Sequence, residues 1–155
     1  MPLDPALTEF LTSPVMIIIA THGEALHPEI ARGNGALARA DSGTVDLVIS
    51  GWLWPGTLRN LRAGSLIAAT FARPRDYAAF QIKGTATLVE PQPEHLRLSA
   101  HYMNGIREAL TAQGLEAPLI DPWLSDRDPA VARITVLEAY EQTPGPRAGR
   151  ALGSA

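Results

Sequence analysis

The chain has 155 residues, of which 46% are hydrophobic and 19% are charged, the balance of a globular protein rather than a disordered one. The net charge of −3 argues against a general nucleic-acid binder, which needs a basic surface. The absence of cysteine excludes disulfides, thiolate metal sites and thiol catalysis. We therefore expect a single domain over residues 1–155.

Nothing in the amino-terminal region predicts a leader or a membrane span. The longest purely apolar run, residues 15–20, is far shorter than the roughly 20 residues of a membrane-spanning helix. The residues before it include acids but no Lys or Arg, the reverse of a secretory signal. We expect a cytoplasmic protein that binds neither membrane nor nucleic acid.

The chain begins with a predicted helix and a predicted core strand. Asp4 can cap the free amides of a helix, and Pro5 suits its first turn. Ser13-Pro14 ends that helix, and the β-branched run at residues 15–21 predicts a buried strand.

Residues 25–39 alternate imperfectly, so they predict an irregular strand. Gly33-Asn34-Gly35 within it predicts a bulge, or a place where the backbone approaches a ligand. The run from Gly33 to Ala38 also fits the dinucleotide-binding pattern G-x-G-x-x-A. The turn at residues 41–43 leaves no room for the helix that this pattern requires, so we reject that interpretation.

The middle of the chain predicts a further strand, a short helix and a hairpin. Residues 45–50 form the strand, and the helix at 54–62 begins with a proline. The hairpin pairs residues 65–71 with residues 77–89, and Gly84 predicts a bulge in its second strand.

The carboxyl-terminal part predicts one long helix and one more strand. The helix spans residues 93–113, has one apolar face and is expected to pack on the sheet. A loop at 115–128 with a turn around Trp123 precedes a strand at 132–140. The Pro/Gly-rich tail at 143–155 predicts no regular structure. About six strands with hairpin links favour a mainly β fold, an antiparallel barrel or sandwich with peripheral helices.

The four histidines do not predict a metal site. His22 and His27 flank one turn, whereas His95 and His101 point in different directions from one helix. None has the ligand spacing of a known metal motif, so we expect solvated or capping histidines. Ser50-Gly51 lacks the pattern of a nucleophile elbow, and no catalytic residue is identified.

Residues 51–84 concentrate aromatic and basic side chains around the short helix. The start of that helix offers free N–H groups and partial positive charge to an anion. Trp52 and Trp54 lie just before it, so the segment predicts a site for a flat, phosphorylated ligand. The alternative is a surface helix with solvated arginines, with the tryptophans in the core or in a dimer interface.

The order of these segments resembles the flavin-binding split barrels related to pyridoxamine 5'-phosphate oxidase. The resemblance covers about residues 7–147 and is carried by VMIIIAT, PEIARGNG, VDLVISGW, TLRNLRAG, SLIAATFARP, YAAFQIKGTATLV and YEQTPGPRAG. It implies a six-stranded split β-barrel and a homodimer with flavin mononucleotide (FMN) at the subunit interface.

The resemblance also implies which residues bind the cofactor. They are Arg32 on the strand lining the flavin, Ser50, Gly51 and Trp52 beside the isoalloxazine, Thr57, Arg59 and Asn60 at the phosphate, and Gln81 and Lys83 near the ligand or the dimer seam.

The chain departs from the oxidase itself in two places. The oxidase has a Ser-Arg-Lys run where this chain has Thr57-Leu58-Arg59. The oxidase also has a carboxyl-terminal segment with Trp and Arg that binds pyridoxamine phosphate, whereas here no Trp follows Trp123 and the tail is Pro/Gly-rich. We therefore expect an FMN-dependent oxidoreductase acting on an unidentified small substrate, with NAD(P)H or another donor, but not pyridoxamine-phosphate oxidation. The alternatives are a flavin or haem carrier or sensor, or a structural dimeric barrel that has lost its cofactor. In the haem version, the axial ligand is His22, His27 or His101.

Overall fold

The computed structural model describes residues 1–153. Its helices are α1 (Pro5–Thr12), α2 (Pro55–Arg62), α3 (Pro93–Ala112) and α4 (Ala117–Ile120), the last followed by a 3-10 turn at Asp121–Trp123. Its strands are β1 (Met16–His22), β2 (Pro28–Arg32), β3 (Ala36–Arg39), β4 (Thr44–Ser50), β5 (Leu66–Ala72), β6 (Ala79–Val89), β7 (Pro129–Glu141) and β8 (Arg150–Leu152).

The strands form one antiparallel sheet, so the mainly β fold with peripheral helices is confirmed. Along the sheet the order is β2-β1-β5-β6-β7-β4-β3, and β8 pairs with β7. The hairpin of β5 and β6 is present as predicted. The cap of α1 is present too, since Asp4 Oδ1 accepts a hydrogen bond from Ala6 N at 2.8 Å.

The predicted irregular strand at 25–39 is two strands at opposite ends of the sheet order, and the bulge prediction is wrong. Gly33 N donates to Ile17 O at 3.1 Å, while Asn34 N donates to Val48 O at 2.7 Å. Residues 33–35 link β2 to β3 in the chain. Their hydrogen bonds to β1 and β4 bring the two ends of the sheet together. A Cβ on Gly33 would lie 2.8 Å from Ile17 Cγ2, so the backbone at Gly33 closely approaches a core side chain.

The bulge predicted at Gly84 is confirmed. The pairing of β6 with β7 shifts register between Lys83 and Gly84, which leaves Leu137 as an extra residue on β7. A Cβ at Gly84 would overlap with Thr135 O, so only glycine fits this bulge.

The core lies inside the curved sheet, under the long helix. Alternate residues of β1 and β5 point inward, and α3 adds the apolar face that the sequence predicted. Its main contributors include Ile17, Ile19, Phe71, Ile82 and Ile106, all fully buried. Each such side chain contributes about 1.5–3 kcal/mol by leaving water. Among residues 1–153, no helix is both long and apolar enough to cross a membrane.

The structure has eight strands where the sequence predicted about six. One addition comes from the division of residues 25–39, and the other is β8, in the tail that was expected to lack regular structure. The tail turns back on β7 because Gly145 and Gly149 adopt positive φ angles of 138° and 85°, which suit glycine. Gly149 N then donates to Glu141 O at 2.8 Å, which starts the added strand.

Candidate functional site

The outer face of the sheet carries an open cleft of about 500 Å³, which we call the sheet-face cleft. It is lined by Ala20, Thr21, His22, Leu26, Pro28, Leu66, Ile67, Ala68, Lys83, Gly84, Leu137 and Glu138. Leu26, Leu66 and Leu137 are 72%, 58% and 56% exposed. Large apolar side chains this exposed in one place mark a binding surface.

Two polar groups at the sheet-face cleft are available to a ligand. His22 Nδ1 lies 3.0 Å from Gly23 O. Because a carbonyl only accepts, Nδ1 is the donor, and Nε2 is the ring nitrogen that remains for another contact. The Lys83 amine lies 5.0 Å from the centroid of the Tyr140 ring, and Glu138 accepts the Tyr140 hydroxyl at 2.5 Å. Among residues 1–153, Lys83 forms no ion pair with Glu138, which lies opposite it on β7.

The second predicted polar residue of β6, Gln81, lies on the same sheet face. Its Nε2 donates to Thr70 Oγ1 at 2.9 Å, a cross-strand pair between β6 and β5. Because side chains alternate along a strand, Gln81 and Lys83 point to the same side.

Helix α2 places its three predicted residues in different environments. Thr57 is buried, and Arg59 is exposed on the helix surface. Asn60 Nδ2 donates to Thr21 Oγ1 at 3.0 Å, which fastens α2 to the end of β1.

The start of α2 already has a carboxylate beside it. A Cβ on Gly56 would lie 2.9 Å from Glu29 Cδ, so the Glu29 side chain rests against the first turn. A carboxylate there takes the favourable interaction with the helix dipole that a phosphate would use. A phosphate bound at the beginning of this helix, as the resemblance implies, would therefore lie beside the Glu29 carboxylate, which has the same sign of charge.

Arg32, at the end of β2, is half-buried and stacks on an indole. Its Cζ lies 4.5 Å from the centroid of the Trp123 ring. Its Nη1 is a buried side-chain nitrogen without a hydrogen-bond partner, and no other such atom occurs in residues 1–153. Buried polar groups are nearly always paired, so this nitrogen marks a place where an acceptor is missing.

The residues predicted beside the isoalloxazine contact the segment that contains the 3-10 turn and leads into β7. Ser50 Oγ donates to Arg127 O at 2.8 Å, and Gly51 N donates to Asp128 O at 2.8 Å. The Arg127 guanidinium lies 3.5 Å from the centroid of the exposed Trp52 ring. We call residues 121–129 the overlying segment, since Trp123 in the same segment covers Arg32.

The nine predicted cofactor residues therefore lie in three places within one chain. Gln81 and Lys83 are on the sheet face, and Thr57, Arg59 and Asn60 are on α2. Arg32, Ser50, Gly51 and Trp52 contact the overlying segment.

The sequence analysis missed a buried ionic network centred on Asp46, which is 0% exposed. Arg133 donates to the two carboxylate oxygens at 2.7 and 2.8 Å, and Arg39 donates at 2.6 Å. His95 Nε2 lies 3.0 Å from the same carboxylate. An acid inside the apolar strand VDLVIS was the available signal.

The protonation of His95 follows from its two contacts. Gln92 N donates to His95 Nδ1 at 3.0 Å, so Nδ1 is the acceptor and the hydrogen sits on Nε2, facing Asp46. His95 is thus a capping histidine, as predicted, but it is buried rather than solvated. Burial alone would raise the pKa of Asp46, yet the hydrogen bonds from Arg133, Arg39 and His95 lower that pKa far below its usual range.

The other histidines do not assemble a metal centre. His27 and His101 are exposed, and His22 stands at the sheet-face cleft. In the part of the chain that the structure describes, no three His, Asp or Glu side chains group as metal ligands.

Comparison with protein-family models and with curated protein sequences finds no match. Solved structures do match over nearly the whole chain. An F420 reductase is 15% identical, with a TM-score of 0.58 over 88% of this chain and 98% of its own. A candidate pyridoxamine 5'-phosphate oxidase from Lactobacillus delbrueckii is 14% identical, with a TM-score of 0.56 over 90% and 93%.

A third match is HutZ, the haem storage protein from Vibrio cholerae. It is 16% identical, with a TM-score of 0.53 over 91% of this chain and 95% of its own. Structural similarity at such low sequence identity establishes the fold but does not identify the ligand. The chain has the split-barrel fold of the pyridoxamine 5'-phosphate oxidase-like proteins.

Proposed function

We propose that this protein binds FMN and acts as a flavin-dependent oxidoreductase on a small substrate. The observation that carries the proposal is the buried Nη1 of Arg32, which has no acceptor. Leaving a buried donor unpaired costs about 1–3 kcal/mol, more for a charged group. A phosphate oxygen would remove that cost, and the planar guanidinium matches phosphate well.

A flavin fits the surroundings of Arg32 better than a non-aromatic phosphate does. Trp123 provides an aromatic surface at the candidate anion contact, and Trp52 provides a second one against Arg127 of the overlying segment. Two of the structural matches carry names of redox proteins, an F420 reductase and a candidate pyridoxamine 5'-phosphate oxidase. When bound, the flavin supplies the redox chemistry, with NAD(P)H as a candidate donor, and the protein supplies binding and orientation.

Within this proposal, Arg32 is the main phosphate contact. Glu29 disfavours a phosphate at the very start of α2, and buried Thr57 has little surface to offer. Arg59 is exposed and takes part in none of the ion pairs found within residues 1–153, so its charge is free to attract the anion. Asn60 serves by holding α2 on β1.

We also propose that two copies form the complete site. The predicted residues lie in three places in one chain, and the apolar side chains around the sheet-face cleft are exposed. Ile30, at 58% exposed, extends that surface beyond the cleft onto β2. Burying such residues against a second copy supplies the usual driving force for a homodimer.

The dimer is tested by Leu66→Glu, which puts a charge in the middle of this surface. We expect light scattering to give a dimer for the wild type and a monomer for L66E. Leu96→Glu, on the exposed side of α3, is the matched control and should remain dimeric. A wild type that is monomeric at all accessible concentrations would rule out the shared site.

FMN binding is tested by flavin fluorescence quenching with the wild type, Arg32→Ala and the control Arg97→Ala, an exposed arginine of α3. Removing a charge-assisted contact of about 1.5–3 kcal/mol should weaken FMN by roughly 10- to 100-fold. Riboflavin, which has no phosphate, should lose much less affinity, and R97A should bind like the wild type. A wild type that quenches neither flavin would refute the proposal.

A haem is the second candidate, and His22 is the observation that favours it. Its Nδ1–H donates to Gly23 O, which leaves Nε2 free at an apolar cleft, as in histidines that ligate metals. Lys83 could pair with a carboxylate of the ligand, and HutZ, a structural match, is named a haem storage protein.

Haem binding is tested by adding hemin and recording the Soret band. If His22 is the axial ligand, His22→Ala should lose the shifted band and the control His27→Ala should keep it. An unshifted Soret band with the wild type would exclude this candidate.

A further inference from the structure

The indole that faces Arg32 is held rigidly from within its own turn. Trp123 Nε1 donates to Leu119 O at 2.6 Å, so the 3-10 turn and α4 fix the orientation of the ring. Trp123 is half-buried and packs against the core. The hydrogen bond and the core contact both favour this orientation of the ring.

The rest of the overlying segment is tied to the barrel by buried polar groups. Asn34 Nδ2 donates to Ser125 O, and Ser50 Oγ donates to Arg127 O at 2.8 Å. Both donors are almost fully buried, at 2% and 1% exposed. Losing the segment would leave these donors unpaired, so the segment stays in place.

The Arg32 guanidinium combines a contact to an aromatic ring with an unpaired nitrogen. Its Cζ lies over the Trp123 ring, 4.5 Å from the centroid, and its N–H bonds lie in the plane of the guanidinium. The Nη1 of the same group is buried and has no acceptor.

We propose that Trp123 is a positioning residue for a phosphate monoester. Its ring fixes the plane of the Arg32 guanidinium, so that the N–H edge meets the phosphate in the right orientation. This inference rests on the proposed function, in which Arg32 takes the phosphate. Trp123 itself does not touch the phosphate and acts through Arg32.

The test compares Trp123→Leu, which keeps apolar bulk but removes the aromatic face, with Trp123→Phe, which keeps a ring. Dissociation constants are measured for FMN, riboflavin and inorganic phosphate, and melting temperatures report folding. Cation–π contacts of 0.5–2 kcal/mol predict that W123L weakens FMN and inorganic phosphate by roughly 3- to 30-fold. Riboflavin should change by less than about twofold, and W123F should recover most of the loss.

The remaining outcomes distinguish the positioning role of Trp123 from the proposed binding of FMN. Equal losses of FMN and riboflavin in W123L would mean that Trp123 stacks on the flavin, which overturns the positioning role. Unchanged phosphate binding in W123L would also overturn it. A wild type that binds inorganic phosphate but not FMN, with the loss in W123L, would refute the flavin proposal and support this one. A wild type that binds neither would overturn both.

Discussion

Two sites in this barrel contain buried charged groups, and they differ in whether those groups have hydrogen-bond partners. At Asp46 the buried carboxylate is surrounded by donors, with Arg133, Arg39 and His95 all within hydrogen-bond distance. At Arg32 a buried guanidinium nitrogen has no acceptor, and the group lies over the Trp123 ring. A satisfied network holds elements together, whereas an unsatisfied donor costs stability until a ligand arrives. The contrast supports a structural role for the first site and the binding role that we propose for the second.

The Asp46 network connects four elements of the fold. Asp46 lies on β4, Arg39 on β3, Arg133 on β7 and His95 at the start of α3. Arg39 also reaches Glu94 at 3.1 Å. The network therefore fastens the start of the long helix to β3, β4 and β7.

The largest expected effect in this comparison is that of Asp46→Asn. Removing the charge leaves two arginines facing a neutral amide, and breaking a buried ionic group costs about 3–5 kcal/mol. Urea unfolding should therefore give a much lower midpoint with an unchanged slope. Asp76→Asn, which breaks an exposed pair with Arg73, is the control and should leave the midpoint unchanged. A D46N midpoint close to the wild type would contradict the structural role.

Acid should remove the same stabilisation without any mutation. The pKa of Asp46 is lowered in the folded state, so its contribution is complete above the unfolded pKa of about 3.9. It is lost as the pH falls below that value toward the lower folded pKa. Unfolding free energies measured from pH 6 down to pH 2 should fall more steeply for the wild type than for D46N. Parallel curves would show that Asp46 titrates normally.

Arg32→Met and Arg133→Met give the most direct contrast between the sites, with smaller effects. Arg133→Met removes two donors from Asp46 and should destabilise the protein by about 1.5–3 kcal/mol, the value of hydrogen bonds to a charged group. Arg32→Met removes an unpaired donor and keeps apolar contact with Trp123. Its unliganded stability should be equal to the wild type, or higher by up to about 1 kcal/mol. A large loss of stability in R32M would mean that Arg32 has a structural role.

Local patterns explain what the sequence could predict of the fold. The cap at Asp4, the hairpin of β5 and β6, the bulge at Gly84 and helix α3 each depend on residues close together in sequence or on one repeating pattern. The structural role of residues 33–35 was not predictable in the same way. These residues hydrogen-bond to β1 and β4, which are distant from each other in the chain. Two glycines within an alternating run give the same sequence pattern whether they form a β-bulge or a link between two strands that lie far apart in the sheet.

For the candidate site, the sequence predicted some of the residues but not how they contact one another. Arg32 was named from the resemblance, but its partner Trp123 was expected only to lie in a loop turn. Their contact depends on how the overlying segment returns to the barrel through Asn34 and Ser50. The Asp46 network likewise combines side chains from four separated elements, and no spacing in the sequence relates them.

A crystal structure of the protein with FMN tests the central claim most directly. We predict a phosphate oxygen about 2.7–3.2 Å from a guanidinium nitrogen of Arg32, the range of a charge-assisted hydrogen bond. The Trp123 ring should remain stacked on the guanidinium in that complex. A phosphate bound elsewhere, with Arg32 Nη1 still buried and without an acceptor, would contradict the account.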